Sequence, residues 1–223
     1  NILLILLSIA SLALFIFSPA VVTLFAPGFL DDQEKFNLTV DLTRWMAPYL
    51  FFIGLAVFSM GILNSLKVFA LPAATPILQN VSMIAAILIL VPQMDEPIMG
   101  LAIGVIVGGA LQTLIQLPTI IKKGYVWKKR LHFKQPEVIK IAKLMGPAIL
   151  GLAVHELNLM VDTLLASTLP EGSISYLYYG NRLVQLPLGV FAVALAVVLL
   201  PTLSGHAAKG ELKELVQTVS FSI

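Results

Sequence analysis

The chain has 223 residues, of which 58% are hydrophobic and only 12% are charged, and its formal net charge is +2. Its mean hydropathy is +0.95, whereas a soluble domain has roughly 45–50% apolar and about 25% charged residues. These values exclude an ordinary soluble domain, and the absence of cysteine removes disulfides and thiol chemistry from consideration.

Long apolar runs predict the membrane spans in chain order. Five runs contain no charged residue and exceed the roughly 18 residues that indicate a transmembrane helix, and one more is apolar apart from two acids. We therefore predict an all-α, polytopic transmembrane helix bundle with six spans. The runs cover residues 1–30, 45–66, 68–94, 97–121, 144–170 (with the two acids) and 183–208.

The basic residues predict how these spans are oriented. Eleven of the 14 Lys and Arg residues lie in the connections that follow spans two, four and six. Because an excess of Lys and Arg marks cytoplasmic loops, we predict that spans one, three and five run outward. The eleven are Lys67, Lys122, Lys123, Lys128, Lys129, Arg130, Lys134, Lys140, Lys143, Lys209 and Lys213.

The longest of these connections, "KKGYVWKKRLHFKQPEVIKIAK" at 122–143, is basic with interleaved aromatic residues. A nucleic-acid site would need a groove or a stacking platform, which about 20 residues do not supply, so we predict no nucleic-acid partner. We predict a segment that rests on anionic headgroups, with Tyr125 and Trp127 at the interface. This segment separates 1–121, with four spans, from 144–223, with two spans and the start of a third.

Small and amide residues mark the third and fourth spans. The third begins "LPAATPILQN", whose two prolines either are tolerated near the helix start or kink or interrupt the span. In the fourth, Gly104 and Gly108 form a G-x-x-x-G pair, and Gln112 and Gln116 continue the same face. These residues either pack helices closely, with amides as interhelical hydrogen bonds, or line a polar cavity, and we favour packing.

The fifth span carries a stripe of polar and small residues on one helix face. Such a face does not point at lipid, because its hydrogen bonds would stay unmet in hydrocarbon. Ionisable residues at this depth either mark an ion or substrate pathway or pair with neighbouring helices for packing. Glu156 lies about 100° around the helix, and no zinc-binding H-E-x-x-H spacing is present. The stripe is Pro147, Gly151, His155, Asn158 and Asp162.

Arg182 stands immediately before the uncharged run 183–208, and Tyr178, Gln185 and Gly189 share its helix face. Asp162 and Arg182 each lie about ten residues from the centre of the turn "LPEGS", near Glu171 and Gly172, so we predict that the two lie at one depth of an antiparallel hairpin. The guanidinium is either a structural counter-ion for the fifth span or a binding cation in a wet cavity, where its planar fork suits phosphate. The residues alone leave both interpretations open.

Five stretches in order resemble the MurJ (MviN) family of lipid II flippases, of the multidrug/oligosaccharidyl-lipid/polysaccharide exporter superfamily. Together they run from the second span past the sixth. The stretches are "RWMAPYLFFIGLAVFSMGILNS", "LPAATPILQN", "VGGALQTLIQLP", "MGPAILGLAVHELNLMVDTLLASTLPEGSISYLYYGNRLVQLPLGVFAVAL" and "LLPTLSGHAAKG".

The resemblance implies a fourteen-helix, two-lobed transporter around a cationic cavity, of which this chain is similar to helices three to eight. Residues 1–121 would then be the later part of the N-terminal lobe, and 144–223 the start of the C-terminal lobe. Such proteins move undecaprenyl-pyrophosphate-linked disaccharide-pentapeptide (lipid II) outward across the bacterial cytoplasmic membrane by alternating access, for peptidoglycan synthesis. The resemblance implies membrane lipids and cell-wall synthesis proteins as further partners.

The resemblance also implies roles for single residues. Arg182 matches an arginine that engages the pyrophosphate, and we add Tyr178, Gln185 and Asn158 of the same polar faces as substrate-binding candidates. Asp162 matches a sodium ligand, so a sodium ion is the one cofactor that we expect.

The chain departs from the family pattern at His155 and Glu156, where the family usually has Gln at the first position. This pair either adds a protonatable step or compensates for charge elsewhere. Three other classes stay open: a multidrug or organic-cation exporter, a membrane-embedded enzyme, and a degenerate scaffold. A flippase for another polyprenyl-pyrophosphate oligosaccharide is a further alternative. We predict no enzyme, because we find neither a nucleophile–base pair nor a metal motif.

Overall fold

The computed structural model describes residues 1–125 and 136–189. The described residues form helices joined by turns, with no strand among them. The chain divides into two units, Asn1–Thr168 and Leu169–Ile223, and each is described by itself. The helices are α1 (Ile2–Ile16), α2 (Ser18–Phe25), α3 (Gln33–Ser65), α4 (Ala70–Ile89), α5 (Pro97–Lys122), α6 (Pro136–Ser167) and α7 (Ser173–Pro187), with short 3-10 helices at Pro27–Asp31 and Val91–Gln93.

The first predicted span is broken: α1 and α2 meet at an angle of 74°. Pro19 has no N–H to donate to the carbonyl of Phe15, and its ring crowds that carbonyl, so α1 ends at Ile16. The buried Ser18 hydroxyl donates to the Phe15 carbonyl oxygen instead, at 3.2 Å. A Ser-Pro pair in an apolar run therefore marks this bend.

The prolines of the third span do not interrupt it. Pro76 lies inside α4, and the Thr75 hydroxyl donates to the Pro72 carbonyl oxygen at 2.8 Å. That carbonyl is the one that an N–H at position 76 would have bonded. A hydroxyl immediately before proline thus replaces the lost donor and lets the helix continue.

The second predicted span extends beyond its apolar run. Asp32 caps α3 by accepting a hydrogen bond from the backbone N–H of Lys35 at 3.1 Å, and Glu34 favours the first turn through the helix dipole. A helix of 33 residues is about 50 Å long, whereas the hydrocarbon core is about 30 Å thick. Much of the polar connection between spans one and two is therefore helix that continues past the membrane.

Helices α3, α4 and α5 form the packed layer of the first unit, with α5 against both neighbours. A Cβ built on Gly104 would lie 2.6 Å from the Cβ of Ala86, and one built on Gly108 would lie 2.6 Å from Oε1 of Gln79. Only glycine lets the backbones approach this closely. The favoured interpretation of the G-x-x-x-G pair, close helix packing, is confirmed.

Helix α6 joins the earlier helices at its C-terminal end. There it packs on α2 and on the 3-10 helix Pro27–Asp31. The Gly28 N–H donates to Ser167 Oγ at 3.2 Å, and a Cβ on Gly28 would lie 2.0 Å from the Ser167 carbonyl oxygen. Gly28 therefore allows a backbone approach that any side chain would block.

Three described helical segments are long and apolar enough to cross a membrane: Gln33–Ser65, Ala70–Gln93 and Pro97–Lys122. Two bent pairs bring the number to five if each pair is one span: α1 with α2, and the halves of α6, Val138–Gly151 and Glu156–Ser167, which meet at 44°. Most of the predicted sixth span, 183–208, lies outside the described residues, as does 126–135 of the basic connection. The division into lobes at 122–143 stays a prediction.

The second unit opens with a turn whose Gly172 has a positive φ of 89°. The Ser173 hydroxyl donates to the Pro170 carbonyl oxygen at 2.7 Å. Helix α7 follows at once and carries "YLYYGNR".

Candidate functional site

Several polar residues of α4 and α5 are bonded to one another and to neighbouring backbone, whereas Asn80 of α4 is exposed. Gln112 Nε2 donates to Gln79 Oε1 at 2.9 Å, and Gln79 Nε2 donates to the Val105 carbonyl oxygen at 3.3 Å. Ser82 Oγ donates to the Gly104 carbonyl oxygen at 2.7 Å. These side chains join α4 to α5 and stay unavailable to a ligand.

A second set of bonds joins α5 to α3. Thr113 Oγ1 donates to the Phe52 carbonyl oxygen at 2.8 Å, and Gln116 Nε2 donates to the Ala56 carbonyl oxygen at 3.1 Å. Gln116 is fully buried. Its Oε1 is the buried side-chain polar atom that lacks a partner in the described part of the chain. The polar face of the fourth span is thus an interhelical contact rather than a cavity wall.

Arg182 has a different environment on α7. Its guanidinium is exposed, and both Nε and Nη2 donate to the Tyr178 hydroxyl at 3.3 Å. Its Cζ lies 5.5 Å from the centre of the Tyr178 ring, within range of a cation–π contact. The predicted same-face placement of Tyr178 and Arg182 is therefore confirmed.

Open space of about 650 Å3 lies beside this guanidinium, bounded by residues of α7 alone in the described part of the chain, and is called a groove below. Gln185, predicted from its helix spacing, lines the groove together with Arg182. Tyr179, Leu183 and Leu186 also line it and were not among the predicted residues. Because these three residues are spaced three and four positions apart, their sequence pattern placed them on one helix face. Large hydrophobic residues at that spacing are common on any buried helix, so the pattern did not indicate a site.

Two residues of the polar stripe of α6, Gly151 and Asn158, are open within their own unit. Asn158 is exposed and lines a groove of about 590 Å3 with Gly151, Val154, Leu157 and Val161. A Cβ on Gly151 would meet no atom within 4 Å. This face has room for a ligand or for further helices.

The remaining candidates lie on the same helix. Glu156 is exposed and Asp162 is half-buried. The side chain of His155 lies outside the described part of the structure. Residues 1–125 and 136–189 contain no group of three or more His, Asp or Glu side chains placed to hold a metal ion. A sodium site at Asp162 would need oxygen ligands from elsewhere, and it stays a prediction.

The structure describes Asp162 and Arg182 in separate units. Their predicted pairing at one membrane depth stays a prediction.

Comparison with known proteins extends these observations. The sequence model of the family described as "Lipid II flippase MurJ" matches residues 1–223. The chain belongs to the MurJ lipid II flippase family.

Three relatives in the MurJ family illustrate the match. "Probable lipid II flippase MurJ" of Haemophilus influenzae is 40% identical over 223 residues, which cover 97% of this chain and 44% of that protein. The Vibrio cholerae protein of the same name is 44% identical over 84% of this chain and 37% of its own length. "Lipid II flippase MurJ" of Burkholderia cenocepacia is 40% identical over 80% of this chain and 36% of its own length.

The chain spans less than half the length of the curated relatives that it matches. Family membership and the long apolar helices together establish a polytopic membrane protein. The activity of the whole protein is a proposal.

Proposed function

We propose that this chain is part of a flippase that moves lipid II across the bacterial cytoplasmic membrane. The observation that carries the proposal is the exposed guanidinium of Arg182. One edge of this guanidinium donates to the Tyr178 hydroxyl, and the guanidinium lies beside the open groove along α7. The chain that carries it belongs to the MurJ family. A guanidinium stays charged when it is desolvated and donates paired hydrogen bonds to phosphate, so it suits a pyrophosphate headgroup.

The negative charge of the headgroup is the main physical obstacle to its transport. Moving a pyrophosphate through hydrocarbon is prohibitive unless fixed cations meet its negative charges. In the proposed mechanism, Arg182 meets the pyrophosphate in a water-filled space, while Asn158 and Gln185 bond polar parts of the headgroup. No covalent step is required, so the proposed protein is a transporter and not an enzyme.

Alternating access would carry the headgroup from one side to the other. In the described part of the chain, α6 packs on α2 and Pro27–Asp31 through its C-terminal end. In the proposed orientation, with the basic loops in the cytoplasm, that contact lies on the outer side.

Coupling to a cation completes the proposal. Asp162 is the proposed sodium ligand, and His155 with Glu156 is a proposed second site of charge coupling. Cell-wall synthesis proteins and surrounding lipids are the proposed partners in the membrane.

The direct test depletes the native full-length protein in cells and supplies variants, with the leaflet distribution of lipid II as the readout. Arg182→Ala is expected to reduce outward movement at least about 100-fold while the protein level in the membrane is unchanged, since a pyrophosphate that is partly desolvated against the guanidinium would lose its counter-charge. Arg182→Lys should restore part of the activity, because lysine keeps the charge but not the planar fork.

Arg44→Ala is the matched control. Arg44 pairs with Asp41 at 3.4 Å in the exposed N-terminal part of α3, so its removal should leave lipid II movement unchanged. Full lipid II movement with Arg182→Ala would contradict the proposed function and favour a scaffold role.

An organic-cation exporter is the second candidate, and the exposed carboxylate of Glu156 favours it. Thermal protection of the purified full-length protein separates the two. Lipid II should raise the melting temperature if the proposed function is right, whereas protection by tetraphenylphosphonium alone would favour the exporter.

A further inference from the structure

The Tyr178 hydroxyl is placed to fix the direction of the Arg182 guanidinium. One oxygen accepts from both Nε and Nη2 at 3.3 Å, and the same ring lies 5.5 Å from Cζ. Tyr178 precedes Arg182 by four residues on α7, so one helical turn holds both groups at a fixed separation.

A second aromatic ring supports this arrangement. Tyr179 packs edge-to-face on Tyr178, with 5.6 Å between the ring centres and an angle of 74° between the planes. Tyr179 also lines the groove beside Arg182. The Tyr178 ring therefore contacts both the Arg182 guanidinium and the Tyr179 ring.

The donors that remain free determine what the guanidinium can bind. It has five N–H groups, and the Tyr178 hydroxyl takes one on Nε and one on Nη2. Both N–H groups of Nη1 and one of Nη2 remain. These lie at the end of the side chain, where a paired contact with two oxygens of one phosphate group is possible.

We propose that Tyr178 is a positioning residue that acts on the anionic headgroup through Arg182 and does not bind it directly. The inference rests on the proposed function and revises the substrate-binding role predicted for Tyr178 from sequence. Holding one edge of the guanidinium removes rotamers in which the free edge points away from the ligand, so less conformational entropy is lost on binding.

Lipid II affinity of the purified full-length protein tests this proposal in a double-mutant cycle. Tyr178→Phe keeps the ring and removes the hydroxyl, and it should weaken binding about tenfold in the protein that has Arg182. In the Arg182→Ala background, the same substitution should leave the remaining affinity unchanged. Tyr178→Leu removes the ring as well and should weaken binding further, again only when Arg182 is present.

Tyr176→Phe is the matched control, because it makes the same chemical change on α7 at an exposed tyrosine that does not line the groove beside Arg182. It should leave affinity unchanged. An equal melting temperature of all variants would show that the fold is intact.

Two results would overturn the positioning role: no loss of affinity with Tyr178→Phe, or the same loss in the Arg182→Ala background, which would mean that Tyr178 contacts the ligand itself. A different result would overturn the proposed function as well. If Arg182→Ala alone leaves lipid II affinity unchanged, the guanidinium does not bind the headgroup and Tyr178 has nothing to position.

Discussion

The α3–α5 layer and the α6 and α7 helices use similar polar residues in opposite ways. In the layer, Gln112 and Thr113 are buried and bonded across helices. On α6 and α7, Asn158 and Gln185 are exposed and line open grooves. Both sets have helical spacing in sequence. What distinguishes a packing contact from a binding face is whether a neighbouring helix supplies acceptors within hydrogen-bonding distance.

The largest expected effect comes from placing the same side chain in both regions. Gly104→Leu should lower the free energy of unfolding by about 3 kcal/mol, because Ala86 Cβ and the backbone of α4 occupy the space that the side chain needs. Gly151→Leu should leave stability within about 0.5 kcal/mol of the native value, since no atom lies near the added Cβ. Unfolding of the full-length protein in detergent measures both.

Equal losses in the free energy of unfolding at Gly104 and Gly151 would contradict the difference between the packed layer and the α6 face. That result would mean that the α6 face is packed as tightly in the complete protein as the α4–α5 contact is, leaving no room for a headgroup.

A smaller effect is expected from a hydroxyl. Thr113→Val should lower the free energy of unfolding by about 1 kcal/mol, because it removes the bond to the Phe52 carbonyl across the α3–α5 contact. Thr163→Val is the control, since the Thr163 hydroxyl bonds Leu159 within its own helix at 2.8 Å. The same unfolding measurement should show a smaller loss there, and a larger loss at Thr163 would contradict the assigned roles.

Composition and hydropathy were sufficient to predict the helical membrane fold, because long apolar runs have few other stable solutions in hydrocarbon. The spacing of Gly104 and Gly108 was sufficient to predict close packing. Two helix ends could not be predicted from hydropathy, because a proline and a capping side chain determine them. Pro19 breaks the first apolar run, and the Asp32 cap starts α3 well before its apolar part.

Contacts between distant residues could not be predicted in this way. Gly28 and Ser167 are 139 positions apart, and neither belongs to a motif that indicates the other. Arg182 was identified from its charge in an apolar setting. Which group accepts hydrogen bonds from one edge of its guanidinium, the Tyr178 hydroxyl rather than a ligand or an acid, depends on side-chain geometry. Tyr179 was missed because its helical spacing from Leu183 and Leu186 is too common to indicate a site.

Chemical accessibility of single cysteines in the native membrane tests most directly whether the open side of α6 and the open side of α7 are each wet and the α3–α5 layer is sealed. The 223 residues contain no cysteine, so Asn158→Cys, Gln185→Cys, Gln112→Cys and Gln116→Cys can be compared in the full-length protein with any cysteines outside this segment replaced by serine. A charged, membrane-impermeant thiol reagent, applied from each side, should modify positions 158 and 185 and leave 112 and 116 unmodified. Protection of 158 and 185 from both sides in every state of the transport cycle would contradict the account.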